Sequence, residues 1–87
     1  MSNQNLFRRR LGKFNIPTSL ISDKPLDVLK ILSTVIILRA EHMFVFDAID
    51  YMGISDNFDI VPVGEEIPWY RATITENGII WQKILTE

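Results

Sequence analysis

Residues 69–85 read WYRATITENGIIWQKIL, and this stretch decides the fold. Two runs of β-branched and aromatic residues flank the pair Asn77-Gly78, which is typical of a type I′ hairpin turn because both central residues take positive φ. A two-residue loop at this pair opposes Ile74 to Trp81, Ala72 to Lys83 and Tyr70 to Leu85. The opposite face then holds Arg71, Thr73, Thr75, Ile80, Gln82 and Ile84. We therefore predict a hairpin with one mainly apolar face and a second face that meets solvent or a partner.

The middle of the chain, residues 34–53, has two interpretations. The β-branched residues 35–37 and the apolar run 43–46 favour strands. Alternation supports them, because His42 is the only polar member of a face formed by Ile36, Leu38, Ala40, Phe44, Phe46 and Ala48. The alternative is a helix through residues 39–43, which are acceptable helix formers. We favour the strands.

A helix is predicted from Pro25 to Ser33. Ser22 and Asp23 offer N-cap side chains, a proline suits the first turn, and Asp27 complements the helix dipole. Its apolar face is predicted to consist of Leu26, Leu29, Ile31, Leu32 and Val35. Residues 55–59 that follow the middle segment have turn chemistry, and the prolines and glycine of residues 62–68 mark a loop.

Charge divides the chain into a basic N-terminal segment and an acidic remainder. Residues 1–14 carry a charge of +4, whereas the remainder holds five basic against eleven acidic residues, a charge of −6. The four cations are Arg8, Arg9, Arg10 and Lys13. Such a segment either binds an anion such as phosphate, nucleic acid or a nucleotide, or it is a solvated tail, or it docks on the acidic body of its own or a neighbouring subunit.

The same segment has the spacing of a short amphipathic helix. Phe7, Leu11 and Phe14 fall on one helical face, although Gly12 weakens the helix and Pro17 biases the preceding residue away from it. We predict either this short helix or an irregular arm held by its aromatic residues.

Length and composition allow one modest core. The chain has 87 residues, of which 47% are hydrophobic and 23% charged, as in ordinary globular domains. The absence of cysteine excludes disulfides, zinc thiolates and cysteine nucleophiles. No apolar run approaches the length of a membrane span and no secretory signal is visible, so we expect a cytoplasmic protein without membrane contact.

The fold class that follows is a small single α+β domain. It consists of a basic N-terminal arm over residues 1–16 and an α+β domain over residues 17–87, with one main helix and a mostly antiparallel sheet that ends in the β-hairpin. A sheet this small leaves an apolar face or edge strands in need of a partner, and a homo-oligomer is the simplest solution.

Catalytic and cofactor motifs are absent from the sequence. His42 is the only imidazole, and the sequence contains no nucleophile-elbow serine that it could activate. The four glycines are isolated and do not form a phosphate-binding loop. The acids among residues 47–59 do not have the spacing of a calcium loop. We predict a protein that is not an enzyme, with no metal and no cofactor.

The most suggestive local cluster is Pro68-Trp69-Tyr70-Arg71. With Tyr70 facing inward, Trp69 and Arg71 face outward together. Trp provides a stacking surface and Arg a planar donor fork for phosphate, but the same residue types are enriched at protein interfaces, and Trp69 would also serve as core filling.

Two function classes remain. In the first, a non-catalytic protein sequesters a small anionic, nucleotide-like ligand in a homo-oligomer, as small phage-encoded counter-defence proteins do. Its ligand-binding residues would be Arg8, Arg9, Arg10, Lys13, Phe14, Trp69 and Arg71. In the second, the chain is an inhibitor or adaptor module that docks on a larger enzyme through its hairpin face or acidic loop.

Overall fold

A computed structural model describes residues 8–84, which form one sheet and two short helices. The strands are β1 (Leu11–Pro17), β2 (Ile36–Met43), β3 (Ala48–Ile54), β4 (Trp69–Thr75) and β5 (Gly78–Ile84), and the helices are α1 (Thr18–Asp23) and α2 (Pro25–Leu32). The strand order is β2-β3-β1-β4-β5. The sheet is mixed, since β1 and β4 are parallel and the other three neighbouring pairs are antiparallel. The predicted α+β class is therefore confirmed, with two short helices in place of one main helix.

The first strand in the chain lies in the centre of the sheet. β1 pairs with β3 from Leu11–Ile54 to Pro17–Ala48, and on its other side Lys13 pairs with Trp69 of β4. The helix or irregular arm predicted for this segment is thus wrong for residues 11–16. The alternation of side chains explains why this segment is a strand. Phe14 and Ile16 are two positions apart, and both bury their side chains on the same face of the sheet. Phe7 and the other residues of the prediction before Arg8 lie outside the described residues.

Helix α2 begins where it was predicted, at Pro25, but the residues that face the core are not the ones predicted. Val28 and Ile31 are buried, whereas Leu26 and Leu29 of the predicted apolar face are 72% and 60% exposed. Neither Ser22 nor Asp23 caps this helix, because both belong to α1 and the N-cap position is Lys24, which makes no side-chain cap.

The middle segment forms strands, as predicted, but not as one continuous alternation. A turn over residues 44–47 separates β2 from β3, and Asp47 takes a positive φ of 51° within it. An irregularity between Ile37 and Arg39 also shifts the register of β2, so Leu38 has no partner on β3. Phe44 and Phe46 therefore lie in the turn rather than on the predicted strand face.

The C-terminal hairpin has the predicted faces and a different turn. Thr75 pairs with Gly78 and Ile74 with Ile79, so the strands are offset by two residues from the predicted pairing. The type I′ prediction is wrong, because Gly78 has a φ of 124° while Asn77 does not have a positive φ. An offset of two keeps every side chain on its predicted face. The predicted partner Leu85 lies outside the described residues.

The core lies between the helices and one face of the sheet. Phe14 stacks on Tyr51 at 5.2 Å between ring centroids, and Phe58 stacks on Tyr70 at 4.5 Å. Trp81 meets Phe14 and Phe58 edge-on, both at 5.0 Å. Helix α2 adds the buried side chains described above. Such aromatic contacts stabilise a core beyond the area that they bury.

Within residues 8–84, the opposite face of the sheet is covered only at one end. There the loop over residues 55–68 packs Val61 and Ile67 on Leu11 and Ile54. We call the remainder of this surface, which carries Lys13, Trp69 and Arg71, the open face. Neither helix of residues 8–84 has the length and apolar character needed to cross a bilayer.

Candidate functional site

Two of the three predicted arm arginines hold the 55–68 loop. Arg9 donates a hydrogen bond from Nε to the carbonyl of Val61 at 2.9 Å, and Arg10 donates from Nη1 to the carbonyl of Phe58 at 3.0 Å. Arg8 is exposed in the turn just before them. Arg9 and Arg10 therefore use part of their donor capacity within the fold, rather than projecting on a free arm.

Phe14 does not lie where a ligand would meet it. Its side chain is 1% exposed and contacts the rings of Tyr51, Phe58 and Trp81. This burial does not fit the predicted place of Phe14 among the ligand-binding residues, because the central position of β1 puts Phe14 in the middle of the aromatic core.

The other three predicted residues share the open face. Lys13 and Trp69 are direct neighbours on the parallel strands β1 and β4, and the Lys13 ammonium lies 5.8 Å from the Trp69 ring centroid. This distance is within the range of a cation–π interaction. Arg71 follows two residues along β4 and so points to the same side of the sheet. The structure thus brings together Lys13, Trp69 and Arg71, and separates them from Phe14.

A shallow depression of about 140 Å³ lies on the open face beside Lys13 and Trp69. Its other charged lining consists of Arg39, Glu41 and Asp50, and Arg39 donates a hydrogen bond to Glu41 at 3.1 Å. Two basic and two acidic side chains thus surround it. Pockets for small molecules usually measure about 300–1,000 Å³. The volume of this depression therefore suits one side chain of a partner protein better than an enclosed small-molecule ligand.

Residues 8–84 contain no cluster of three or more side chains suited to hold a metal ion. His42 is exposed on β2, where its ring lies 4.3 Å from that of Phe44. This contact with an apolar ring supplies neither a nucleophile to activate nor an acid to orient the imidazole.

One ion pair couples the 55–68 loop to β5. The Lys83 ammonium lies 2.7 Å from the Asp59 carboxylate. This hydrogen bond and charge hold the pKa of Asp59 below its ordinary value and the pKa of Lys83 above its own. In the core, burial raises the pKa of Tyr51.

The most exposed apolar group in the described part of the chain is one that the sequence interpretation missed. Phe44, Val45 and Phe46 form the turn between β2 and β3, and they are 82%, 89% and 74% exposed. We call these three residues the apolar tip. They escaped notice because they continue the strand alternation of the preceding segment. The available signal was Asp47, a residue type that tolerates positive φ, placed directly after three large apolar residues.

Comparisons of this chain with models of protein families, with curated proteins and with solved structures find no match.

Proposed function

We propose that this chain is a non-catalytic protein-binding module, an inhibitor or adaptor whose apolar tip docks into an apolar pocket on a larger protein. The observation that carries the proposal is the exposure of Phe44, Val45 and Phe46 side by side. Single exposed apolar residues are ordinary, whereas contiguous ones rimmed by polar residues mark interaction sites.

Hydrogen bonds at its base support a tip that is ordered before binding. The carbonyl of Asp47 accepts from both the backbone N–H and the hydroxyl of Thr18, at 2.9 and 3.0 Å. Within the turn, the N–H of Phe46 donates to Met43 and that of Asp47 to Phe44. A turn held in this way loses little conformational entropy when it docks, so more of the contact energy remains as affinity.

The two phenylalanines of the tip belong to a residue type that is enriched in the buried centres of protein interfaces. Aromatic side chains that fill a partner's pocket carry a large share of the energy in many interfaces. Phe44 and Phe46 extend from the end of a hairpin, a shape suited to a cleft on a larger protein rather than to a flat surface.

The test compares a double variant, Phe44→Ser with Phe46→Ser, against Val63→Ser. Val63 is 88% exposed in the 55–68 loop, so it matches the tip in exposure and lies outside it. A partner captured by the wild type and identified by mass spectrometry is then purified, and its affinity measured by calorimetry. We expect the tip variant to lose at least about 30-fold in affinity, equivalent to about 2 kcal/mol, and Val63→Ser to bind like the wild type.

Equal affinity of the tip variant and the wild type for that partner would contradict the proposal. Both variants should melt like the wild type, because exposed side chains contribute little to folding stability.

A second candidate function is the binding of a small anionic ligand such as a nucleotide on the open face. It is favoured by Lys13, Trp69 and Arg71, which offer two cations and a stacking ring on one side of the sheet. Such a protein would act by sequestration.

Calorimetric titration with mono-, di- and cyclic nucleotides tests this candidate. Binding should weaken with salt, because ions screen the attraction between charge and phosphate. It should also weaken in Lys13→Ala and persist in Lys30→Ala, which removes an exposed cation from α2. Absence of heat with every nucleotide would exclude it.

A further inference from the structure

The strand β2 ends the sheet on one side. It pairs with β3 and with no other strand of residues 8–84, so one side of its backbone is open. Seven of its eight residues are exposed, and Met43 is partly so. Native proteins usually protect such an edge, because its unpaired N–H and C=O groups are a template for another strand. On β2 the charged pair Arg39 and Glu41 and the irregularity at Leu38 provide part of this protection. The apolar residues Ile36, Ile37 and Leu38 on the same edge are nevertheless 56%, 37% and 50% exposed.

The sequence of β2 is self-complementary about Ala40. Arg39 precedes this residue and Glu41 follows it. Leu38 lies before the charged pair, and His42 and then Met43 lie after it. When two copies of the strand pair antiparallel about a two-fold axis at Ala40, Arg39 of each copy lies opposite Glu41 of the other. Both side chains are on the open face, where they already contact each other within one chain at 3.1 Å. Opposite charges directly across a strand pair stabilise it.

The neighbouring registers are unfavourable. A two-fold axis at Arg39 would place this residue opposite its own copy, and an axis at Glu41 would do the same for the acid. Like charges directly opposite destabilise a strand pair. Among the two-fold registers that keep the same face of both sheets on one side, only the one centred on Ala40 places Arg39 opposite Glu41, so the charges favour it.

We propose that β2 pairs with β2 of a second copy of this chain, antiparallel and centred on Ala40, to form a two-fold dimer with one continuous ten-stranded sheet. The irregularity at Leu38 limits the regular ladder to residues 39–41, and Leu38 of each copy comes opposite His42 of the other. Beyond it, Ile36 and Ile37 of one copy come alongside Met43 and Phe44 of the other, which covers apolar surface that the single chain leaves exposed. Phe44 therefore belongs both to this dimer contact and to the apolar tip, whereas Val45 and Phe46 lie past the ladder and stay exposed for the protein-binding role of the tip.

Charge reversal provides the test. Arg39→Glu places two acids opposite each other twice per dimer, and Glu41→Arg does the same with two bases. Each variant alone should raise the dimer dissociation constant by about tenfold or more, because juxtaposed like charges are costly. An equal mixture of the two variants should form a heterodimer, since every contact across the axis is again between opposite charges. The double variant R39E/E41R should also dimerise, with each pair reversed.

Sedimentation and native mass spectrometry, over a range of concentration, measure the outcome against the 10.1 kDa mass of one chain. Lys83→Glu is the matched control, because it breaks the ion pair with Asp59 on the far side of the sheet and should leave the dimer intact. A wild type that stays monomeric throughout would overturn the proposal. So would single variants that dimerise like the wild type, or a mixture of the two that stays monomeric. Circular dichroism confirms that each variant is folded, as expected for the loss of an exposed ion pair.

Discussion

Gly12 allows two aromatic rings to lie directly on the central strand. A Cβ at this position would approach Phe58 Cδ2 to 2.7 Å and Tyr70 Cδ2 to 2.8 Å, closer than packed carbon atoms come. With its ring so placed, Tyr70 accepts a hydrogen bond at its hydroxyl from the N–H of Asp59, at 2.9 Å. The missing side chain on β1 thus sets the position of the loop that carries Asp59.

Gly78 is the residue whose replacement tests the hairpin turn. Its φ of 124° is one that a β-branched residue adopts only with strain, and no atom lies within 4 Å of where a Cβ would be. We expect Gly78→Val to lower the free energy of unfolding by about 1–3 kcal/mol through backbone strain alone. Denaturant unfolding measures this, with Glu76→Val as the control, because Glu76 is exposed in the same turn without positive φ. Equal losses in the two variants would show that strain at Gly78 is not the cause.

Among the elements, the 55–68 loop is held from two sides, by residues next to β1 and by β5. Arg9 and Arg10, just before β1, donate hydrogen bonds to its carbonyls, and Lys83 on β5 forms an ion pair with Asp59. These contacts hold Val61 over Leu11 and Ile54, which would otherwise meet solvent on the open face. The loop therefore acts as a lateral cover for a sheet whose helices lie on the other side.

The pH dependence of stability reports the attachment of this loop to β5. The fold holds the pKa of Asp59 below its ordinary 3.8. The ionised carboxylate therefore contributes fully to the free energy of unfolding above pH 3.8, and this contribution is lost as the pH falls through the lowered pKa. The fold holds the pKa of Lys83 above its ordinary 10.5. The charged ammonium therefore contributes fully to the free energy of unfolding below pH 10.5, and this contribution is lost as the pH rises through the raised pKa.

Asp59→Asn should therefore lower the melting temperature at neutral pH and cease to do so in acid. Because both groups are near the surface, the effect in free energy should stay below about 1 kcal/mol. Thermal melts of wild type and variant between neutral and strongly acidic pH measure it. A difference in melting temperature that does not shrink in acid would mean that the amide disturbs the loop in some way other than through charge.

At the scale of the whole molecule, what could be predicted from the sequence is what depends on near neighbours along the chain. The faces of the C-terminal hairpin follow from a period of two, and the start of α2 follows from Pro25. The role of residues 11–16 depends instead on β3 and β4, which lie far along the chain. The basic cluster and the isolated glycine of this segment do not indicate that it pairs with strands so far along the chain.

The candidate site divides in the same way. Outward-facing Trp69 and Arg71 could be predicted from the alternation of β4 alone. That Lys13 joins them, that Phe14 does not, and that Arg9 and Arg10 bind loop carbonyls all depend on where β1 lies in the sheet. Pairing between distant segments, rather than the chemistry of the residues, was the missing information.

The central position of β1 has a consequence for synthesis of the chain. A ribosome completes this strand before either of its neighbours, and its parallel partner begins only at Trp69. The nascent strand therefore lacks its parallel partner until residues 18–68 have been made, and the sheet is completed on that side of β1 late. Native pairing between such distant segments gives a high contact order, which slows folding. Until then, a chaperone that shields Leu11, Phe14 and Ile16 would protect the newly made protein from aggregation.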